Sequence, residues 1–238
     1  MTGKIAIILT RPLGASIRFS KLLKKAMPKI NLITSPLIKI EPTGSIPDLK
    51  LYEAVVFTSV NAVERLKRYQ VPQNMTSFSV GNTTAEAARA LGFSSLSNNG
   101  DINSLFQLII SKKINGSLLY LHGRYTRGNL RDRLINMGIS CDSFLVYEQK
   151  AQNLSSGALR ILEKKSPVIL PIFSPRTAKL LIDQIDLHEN MHIFAISDAV
   201  AEYFRGSSNL NIIVSDFPNT NFMIKSIEKY FENQRLKM

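Results

Sequence analysis

Val56-Phe57-Thr58-Ser59-Val60-Asn61-Ala62-Val63 is an apolar strand running into hydroxyl side chains and then a helix, and the chain says nearly the same at Ile172-Phe173-Ser174-Pro175-Arg176-Thr177-Ala178. Each copy is followed by a second junction of the same kind. Val80-Gly81-Asn82-Thr83-Thr84-Ala85-Glu86 follows the first, and Ala195-Ile196-Ser197-Asp198-Ala199-Val200-Ala201-Glu202 follows the second. The steps from Ser59 to Gly81 and from Ser174 to Ser197 are 22 and 23 residues. Two halves that both end strands in hydroxyl-rich helix starts predict two similar domains with matching walls around a cleft.

Working outward, Ile5–Leu9 is a solid apolar run of the kind buried in parallel sheets. Comparable strands are expected at Ala54–Thr58, Ser77–Val80, Ser117–Leu121, Val168–Phe173, His192–Ile196 and Asn211–Val214. Helical spacing follows Pro12-Leu13-Gly14, and again at Ala62–Tyr69, Thr84–Leu91, Asn103–Lys112, Asn129–Met137, Thr177–Ile185, Ala199–Phe204 and Asn221–Gln234. Strands alternating with helices of this length give an α/β chain with parallel sheets. Residues 36–41 and 144–149 differ, because apolar and polar residues alternate in them. That pattern suits a two-stranded ladder exposed on one side, a pair of crossovers between domains rather than members of a sheet.

Hydrophobic residues make up 45% of the 238, enough for one large or two small cores. The five-residue run at the N-terminus is too short for a membrane span or signal core, so a cytoplasmic protein with no membrane association is expected. Cys141 is the sole cysteine, which excludes an internal disulfide and any cysteine-cluster metal site. It reads as a buried strand residue in a reducing compartment. His188 and His192 have i, i+4 spacing, but Glu189-Asn190-Met191 reads as a turn into a strand, so no metal site is expected.

The net charge is +12, concentrated at the start: Lys4, Arg11, Arg18, Lys21, Lys24, Lys25, Lys29 and Lys39 face only Glu41. Such a field attracts phosphates, polycarboxylates, nucleic acid or an acidic membrane surface, and equally describes a solvated helix face. Ser59, Thr83, Ser174 and Ser197 or Asp198 fall at expected N-caps, Thr83-x-x-Glu86 fits a capping box, and Ser174-Pro175 puts proline at the first helical position. Capping alone explains these residues, yet helix starts also present N–H groups and partial positive charge to carboxylates. The chain has no P-loop, no G-x-G-x-x-G after the first strand, no G-x-S-x-G and no H-E-x-x-H. Acids are scarce at the strand ends, which argues against Mg²⁺. The candidate proton donors are Tyr147, Tyr120, Tyr125, His122 and the hydroxyls.

Taken together these stretches resemble the uroporphyrinogen-III synthase family. Leu9-Thr10-Arg11-Pro12, Pro36-Leu37-Ile38-Lys39-Ile40-Glu41-Pro42, Phe57-Thr58-Ser59-x-Asn61-Ala62-Val63 and Val80-Gly81-Asn82-Thr83-Thr84-Ala85 carry the likeness. So do Gly123-Arg124-x-x-Arg127-x-x-Leu130-x-x-x-Leu134-x-x-x-Gly138 into Val146-Tyr147, and Phe173-Ser174-Pro175-Arg176-Thr177-Ala178. The resemblance implies two Rossmann- or flavodoxin-like α/β domains, one inserted in the other, with the active site in the cleft. Residues 1–35 and 152–238 would form the terminal domain, 42–143 the inserted one, and 36–41 with 144–151 the joining ladder.

The implied reaction needs no cofactor. Hydroxymethylbilane, a linear tetrapyrrole bearing eight carboxylates, loses water and closes with inversion of ring D through a spiro intermediate to give uroporphyrinogen III. Tyr147 matches the family's favoured proton donor. Thr58, Ser59, Thr83, Thr84 and Ser174 match cleft-lining positions, and Thr10, Arg11, Asn61, Gly81, Gly123, Arg124 and Ser197 join them as expected substrate contacts. A monomer receiving substrate from hydroxymethylbilane synthase is the expected working form. Val60 replaces a usual proline, and Ser197-Asp198-Ala199-Val200 replaces a glycine-proline-threonine pattern, so side-chain contacts are expected mainly from the inserted domain. Two rival readings are a non-catalytic anion- or tetrapyrrole-binding module of the same fold and a nucleic-acid-binding α/β protein. The second lacks the aromatic-basic interleaving such binding uses.

Overall fold

The computed structural model describes residues 5–235 apart from 99, 127 and 208. Lys4 of the basic run and Arg127 of the Gly123-to-Gly138 motif lie outside the described residues. The first half runs β1 (Ala6–Leu9), α1 (Leu13–Ala26), β2 (Asn31–Thr34), β3 (Ile38–Pro42), β4 (Ala54–Phe57), α2 (Val60–Arg65), β5 (Thr76–Val80), α3 (Asn82–Ala90) and β6 (Ser94–Asn98). It continues through α4 (Ile102–Ser111), β7 (Leu118–Gly123), α5 (Leu130–Asn136) and β8 (Cys141–Ala151). The remainder is α6 (Ser156–Glu163), β9 (Val168–Ile172), α7 (Pro175–Ile182), β10 (Met191–Ala195), α8 (Asp198–Arg205), β11 (Asn211–Val214) and α9 (Thr220–Arg235).

The chain divides into two compact units, Met1–Lys39 with Lys150–Met238, and Ile40–Gln149. The first holds a five-stranded sheet in the order β11-β10-β9-β1-β2, with every pairing parallel. Counted within the unit, that is the doubly wound order of flavodoxin-like folds. The second holds a six-stranded sheet, β3-β8-β7-β4-β5-β6. Leaving β3 aside, its order is third-second-first-fourth-fifth, the dinucleotide-binding doubly wound order short of its sixth strand. In each unit the strand order reverses once, between β1 and β9 in the first and between β4 and β7 in the second.

The solid apolar strands follow from burial on both faces. In the second unit Val55, Phe57, Leu119 and Leu121 pack with Ala62, Val63 and Ala88 of α2 and α3. The alternate residues Ala54, Val56, Leu118 and Tyr120 pack with Leu105, Ile109 and Leu134 of α4 and α5. Each such large side chain contributes about 1.5–3 kcal/mol when fully buried. In the first unit α1 packs against α9 and α7 against α8, around Ile7, Ile8, Ile169, Leu170, Ile193 and Phe194.

Two edge strands and one helix escape the sequence patterns. β2 and β6 lie at sheet edges and carry only partly buried apolar residues, and Ser94-Ser95-Leu96-Ser97-Asn98 has almost no apolar signal to read. α6 was likewise not expected; it starts at Ser155, whose Oγ accepts the Ala158 N–H at 3.3 Å.

The alternating segments also need correction. β8 begins at Cys141 and pairs in parallel with β7 from Leu118↔Cys141 to Gly123↔Tyr147, and β3 lies beyond it as the edge strand. They are therefore sheet members. The half-exposed alternation arises because β3 leaves one side of the ladder open and because both strands run out of the sheet. The chain passes from one unit to the other within β3 and again within β8. Leu37 accepts from the Gln152 N–H at 3.0 Å, and Val146 from that of Thr43 at 3.1 Å.

Candidate functional site

In doubly wound sheets, ligands bind beyond the carboxyl ends of the strands, where the strand order reverses. In the first unit those ends lead into Thr10-Arg11 after β1 and Phe173-Ser174 after β9. In the second they lead into Thr58-Ser59 after β4 and Arg124 after β7, with Gly123 the last residue of β7. Most of the residues marked in the sequence thus gather at one of two switch points, each described within its own unit.

In the second unit the register between β7 and β8 shifts by one residue at His122/Gly123, a β-bulge. A bulge re-aims the side chain beyond it. Val146 and Tyr147, although consecutive, accordingly join the same core cluster with Phe57 and Leu121. The Tyr147 ring is brought down onto Gly123: a Cβ there would stand 2.4 Å from Tyr147 Cζ and 2.8 Å from its hydroxyl. Only glycine leaves room. Tyr147 is buried, and among the described residues its hydroxyl has no hydrogen-bond partner. Arg124 donates its N–H to the Tyr147 carbonyl at 3.2 Å, while its guanidinium is taken up by Glu148 through Nε at 2.9 Å and through Nη2.

On the opposite face of that sheet runs a polar chain. Thr58 Oγ1 lies 3.2 Å from the Tyr120 hydroxyl, and the Tyr120 ring leans on His122 with centroids 4.8 Å apart. His122 Nδ1 is 2.8 Å from the Gly123 carbonyl, which can only accept, so this nitrogen carries the proton. In the neutral ring Nε2 then accepts from Ser143 Oγ, also at 2.8 Å. Burial, ahead of its neighbours, raises the Tyr120 phenol above its ordinary pKa. Nothing in the sequence marks Ser143, which the β7–β8 register places opposite Tyr120.

Ser59 caps α2 as expected, accepting the Asn61 N–H at 3.2 Å, and Asn61 stands in the first turn of that helix. The capping box at Thr83 is not formed. Gly81 takes the N-cap position of α3 with φ +72°, a left-handed conformation that glycine alone adopts cheaply, so Thr83 falls inside the first turn. Thr83 is exposed and Thr84 is buried. Val200, the residue matching Thr84 in the second copy, is buried too, so the exchange of hydroxyl for methyl there is first a matter of packing.

In the first unit Ser174 caps α7, accepting the Thr177 N–H at 3.2 Å and lying 2.9 Å from Thr177 Oγ1. Ser197 holds the N-cap position of α8 without a side-chain capping bond. Thr10 is fully buried, and its Oγ1 has no partner among the described residues. The Arg11 guanidinium lies 3.9 Å from the centroid of the Phe173 ring, a cation–π contact the sequence did not reveal. Burial, then the charge of Arg18, push its pKa down to about 10.

Among the described residues no group of three or more His, Cys, Asp and Glu side chains is placed to hold a metal ion, and no helix is long and apolar enough to cross a membrane. Cys141 is buried in β8, and His188 and His192 fall in a turn and a strand. A groove of about 550 Å³ lined by Ile5, Met27, Lys29 and Phe231 opens at the amino ends of β1 and β2, away from the residues above.

The family model described as uroporphyrinogen-III synthase HemD matches residues 18–225. The chain is similar to the uroporphyrinogen-III synthase of Chlorobaculum parvum, with 24% identity over 235 residues, covering 85% of this chain and 95% of that protein. Its fold matches the crystal structure of the uroporphyrinogen-III synthetase of Helicobacter pylori with a TM-score of 0.66, at 19% identity over 96% of this chain and all of that one. With a family model spanning most of its length, the chain belongs to the uroporphyrinogen-III synthase family.

Proposed function

We propose that the chain is a carbon–oxygen lyase that dehydrates and cyclises hydroxymethylbilane, inverting ring D, to give uroporphyrinogen III. Membership of the family supports the reaction. The observation that carries the chemistry is Tyr147, a buried ring pressed on Gly123 with no protein hydrogen bond at its hydroxyl. Such a hydroxyl is free to protonate the departing hydroxide, so that the C–O bond breaks with release of water. The proton returns at the end of the sequence: the bond from the spiro carbon to its original bridge breaks, the bridge rejoins at the unsubstituted end carbon of ring D, and that carbon loses its hydrogen as the macrocycle closes. A positioned general acid contributes about 10²–10⁴-fold.

The rest of the task is shape. A flexible tetrapyrrole must be held so that the substituted ring carbon is attacked, and many modest contacts achieve this without a dedicated base. Thr10, Arg11, Thr58, Ser59, Asn61, Gly81, Thr83, Thr84, Gly123, Ser174 and Ser197 are the proposed substrate contacts. Arg124, whose fork Glu148 already fills, contributes least. Residues 1–35 with 152–238 and residues 42–143 serve as the two domains, joined through 36–41 and 144–151. A cytoplasmic monomer supplied by hydroxymethylbilane synthase is the proposed working form.

Purified protein given hydroxymethylbilane should release the type III macrocycle. Type I alone, the product of spontaneous closure, would refute the reading and leave a binding module.

A further inference from the structure

Arg18 plays no part in the site as proposed above, yet it is turned toward it. It lies in α1 one helical turn beyond Gly14, and its Nη1 stands 3.5 Å from where a Cβ on Gly14 would be. The side chain therefore folds back along the helix toward its start instead of reaching into solvent. Its positive charge there is, after burial, the second cause that lowers the Arg11 pKa. Among the described residues neither arginine pairs with a carboxylate. Two like charges brought together without an acid, one of them largely desolvated, repel each other and favour whatever anion enters.

Three further features surround the pair. The Phe173 ring seats Arg11 at 3.9 Å and is itself fixed edge-on by Phe19, centroids 5.0 Å apart. The start of α1 has Pro12 at its N-cap with no side-chain capping bond and no acid in its first turn among the described residues, so its first N–H groups have no side-chain cap. The Thr10 hydroxyl, fully buried next to Arg11 in the chain, has no partner among the described residues. By contrast α2 and α7 are capped by Ser59 and Ser174.

We propose that Arg11 and Arg18 form a two-carboxylate subsite that takes the acetate and propionate of a single pyrrole ring, with Phe173 as the positioning residue that holds Arg11 in place. The assignment rests on the reaction proposed above, since that substrate carries one such pair on every ring. A ring with a methyl group in place of its acetate offers one carboxylate, which Arg11 alone satisfies. Arg18 is thus the residue that counts carboxylates.

The test compares binding of a stable octacarboxylate porphyrin with that of its tetracarboxylate counterpart, in which methyls replace the acetates. Arg18→Gln should weaken the octacarboxylate about 10-fold or more, the worth of one charge-assisted contact, and leave the tetracarboxylate within about twofold. Arg18→Lys, which keeps charge without the fork, should restore part of the loss. Equal weakening of both porphyrins would reduce Arg18 to a diffuse field and overturn the subsite, as would no weakening of either. Thermal melting of both variants at the wild-type temperature shows that binding, not folding, is being read. The isomer released by the wild type is scored separately. Type III with no discrimination by Arg18→Gln removes the subsite and keeps the reaction, whereas type I with discrimination removes the reaction and keeps the subsite.

Discussion

The two switch points are built on the same plan and equipped differently. In the first unit, the residues after β1 and β9 present a desolvated Arg11 on Phe173 and a buried Thr10 hydroxyl, neither with a carboxylate or hydrogen-bond partner among the described residues. In the second, the cation is neutralised, because Glu148 holds Arg124, and the free group is the phenol of Tyr147. A duplicated strand–hydroxyl–helix frame thus leaves one copy to hold charge and the other, on the proposed reading, to move a proton. The hydroxyls common to both copies, Ser59 and Ser174, accept capping bonds, which leaves only their O–H to donate to a ligand.

The contrast can be broken most sharply at Gly123. Gly123→Val would drive Cβ into the Tyr147 ring, displace the phenol and overpack the core, at a cost of about 1–3 kcal/mol in stability. Turnover should fall by about 10² or more, because small misplacements of a reacting group are that costly. Rate and melting temperature measured together check it.

The two arginines sharpen the comparison. Arg11→Gln should raise KM about 10- to 100-fold through loss of a charge-assisted contact. Arg124→Gln, which breaks an exposed pair with Glu148, should change it by less than about fivefold. Equal effects in steady-state kinetics would erase the distinction between the units.

A smaller effect is expected at Thr58→Val, which removes the bond to the Tyr120 hydroxyl and should lower stability by about 1 kcal/mol in denaturant melts.

Burial pushes the Cys141 thiol from its ordinary 9.0 up to about 11. The folded state favours the neutral thiol. Its contribution to stability is therefore complete below about pH 9 and lost as pH rises through about 11. At pH 8 alkylation should proceed only at the rate of unfolding. Rapid labelling of folded protein would show the thiol accessible.

Sequence patterns revealed the parts of this fold that bury both faces. β1, β4, β7, β9 and β10 are solid apolar runs because helices cover each side of their sheets, and the Ser59 and Ser174 caps follow from hydroxyls placed just before helical spacing begins. What stayed hidden depends on neighbours distant in sequence. β6 is polar because it is an edge, and nothing in Ser94–Asn98 alone says that Thr76–Val80 will pair with it. Thr83-x-x-Glu86 reads as the better cap, but Gly81 can take a positive φ and starts the helix two residues earlier. The bulge that turns Tyr147 onto Gly123 leaves no mark in Val146-Tyr147, since either residue suits either face. Likewise Phe173 and Arg11 are 162 positions apart, and only the β1–β9 pairing joins them.

The division between a charge-holding surface and a proton-donating one is tested most directly by Tyr147→Phe, measured for both turnover and product affinity. In this variant kcat for the type III macrocycle should fall by about 10² or more while affinity for product stays at the wild-type value. Unchanged kcat, or an affinity lost as in Arg11→Gln, would contradict it.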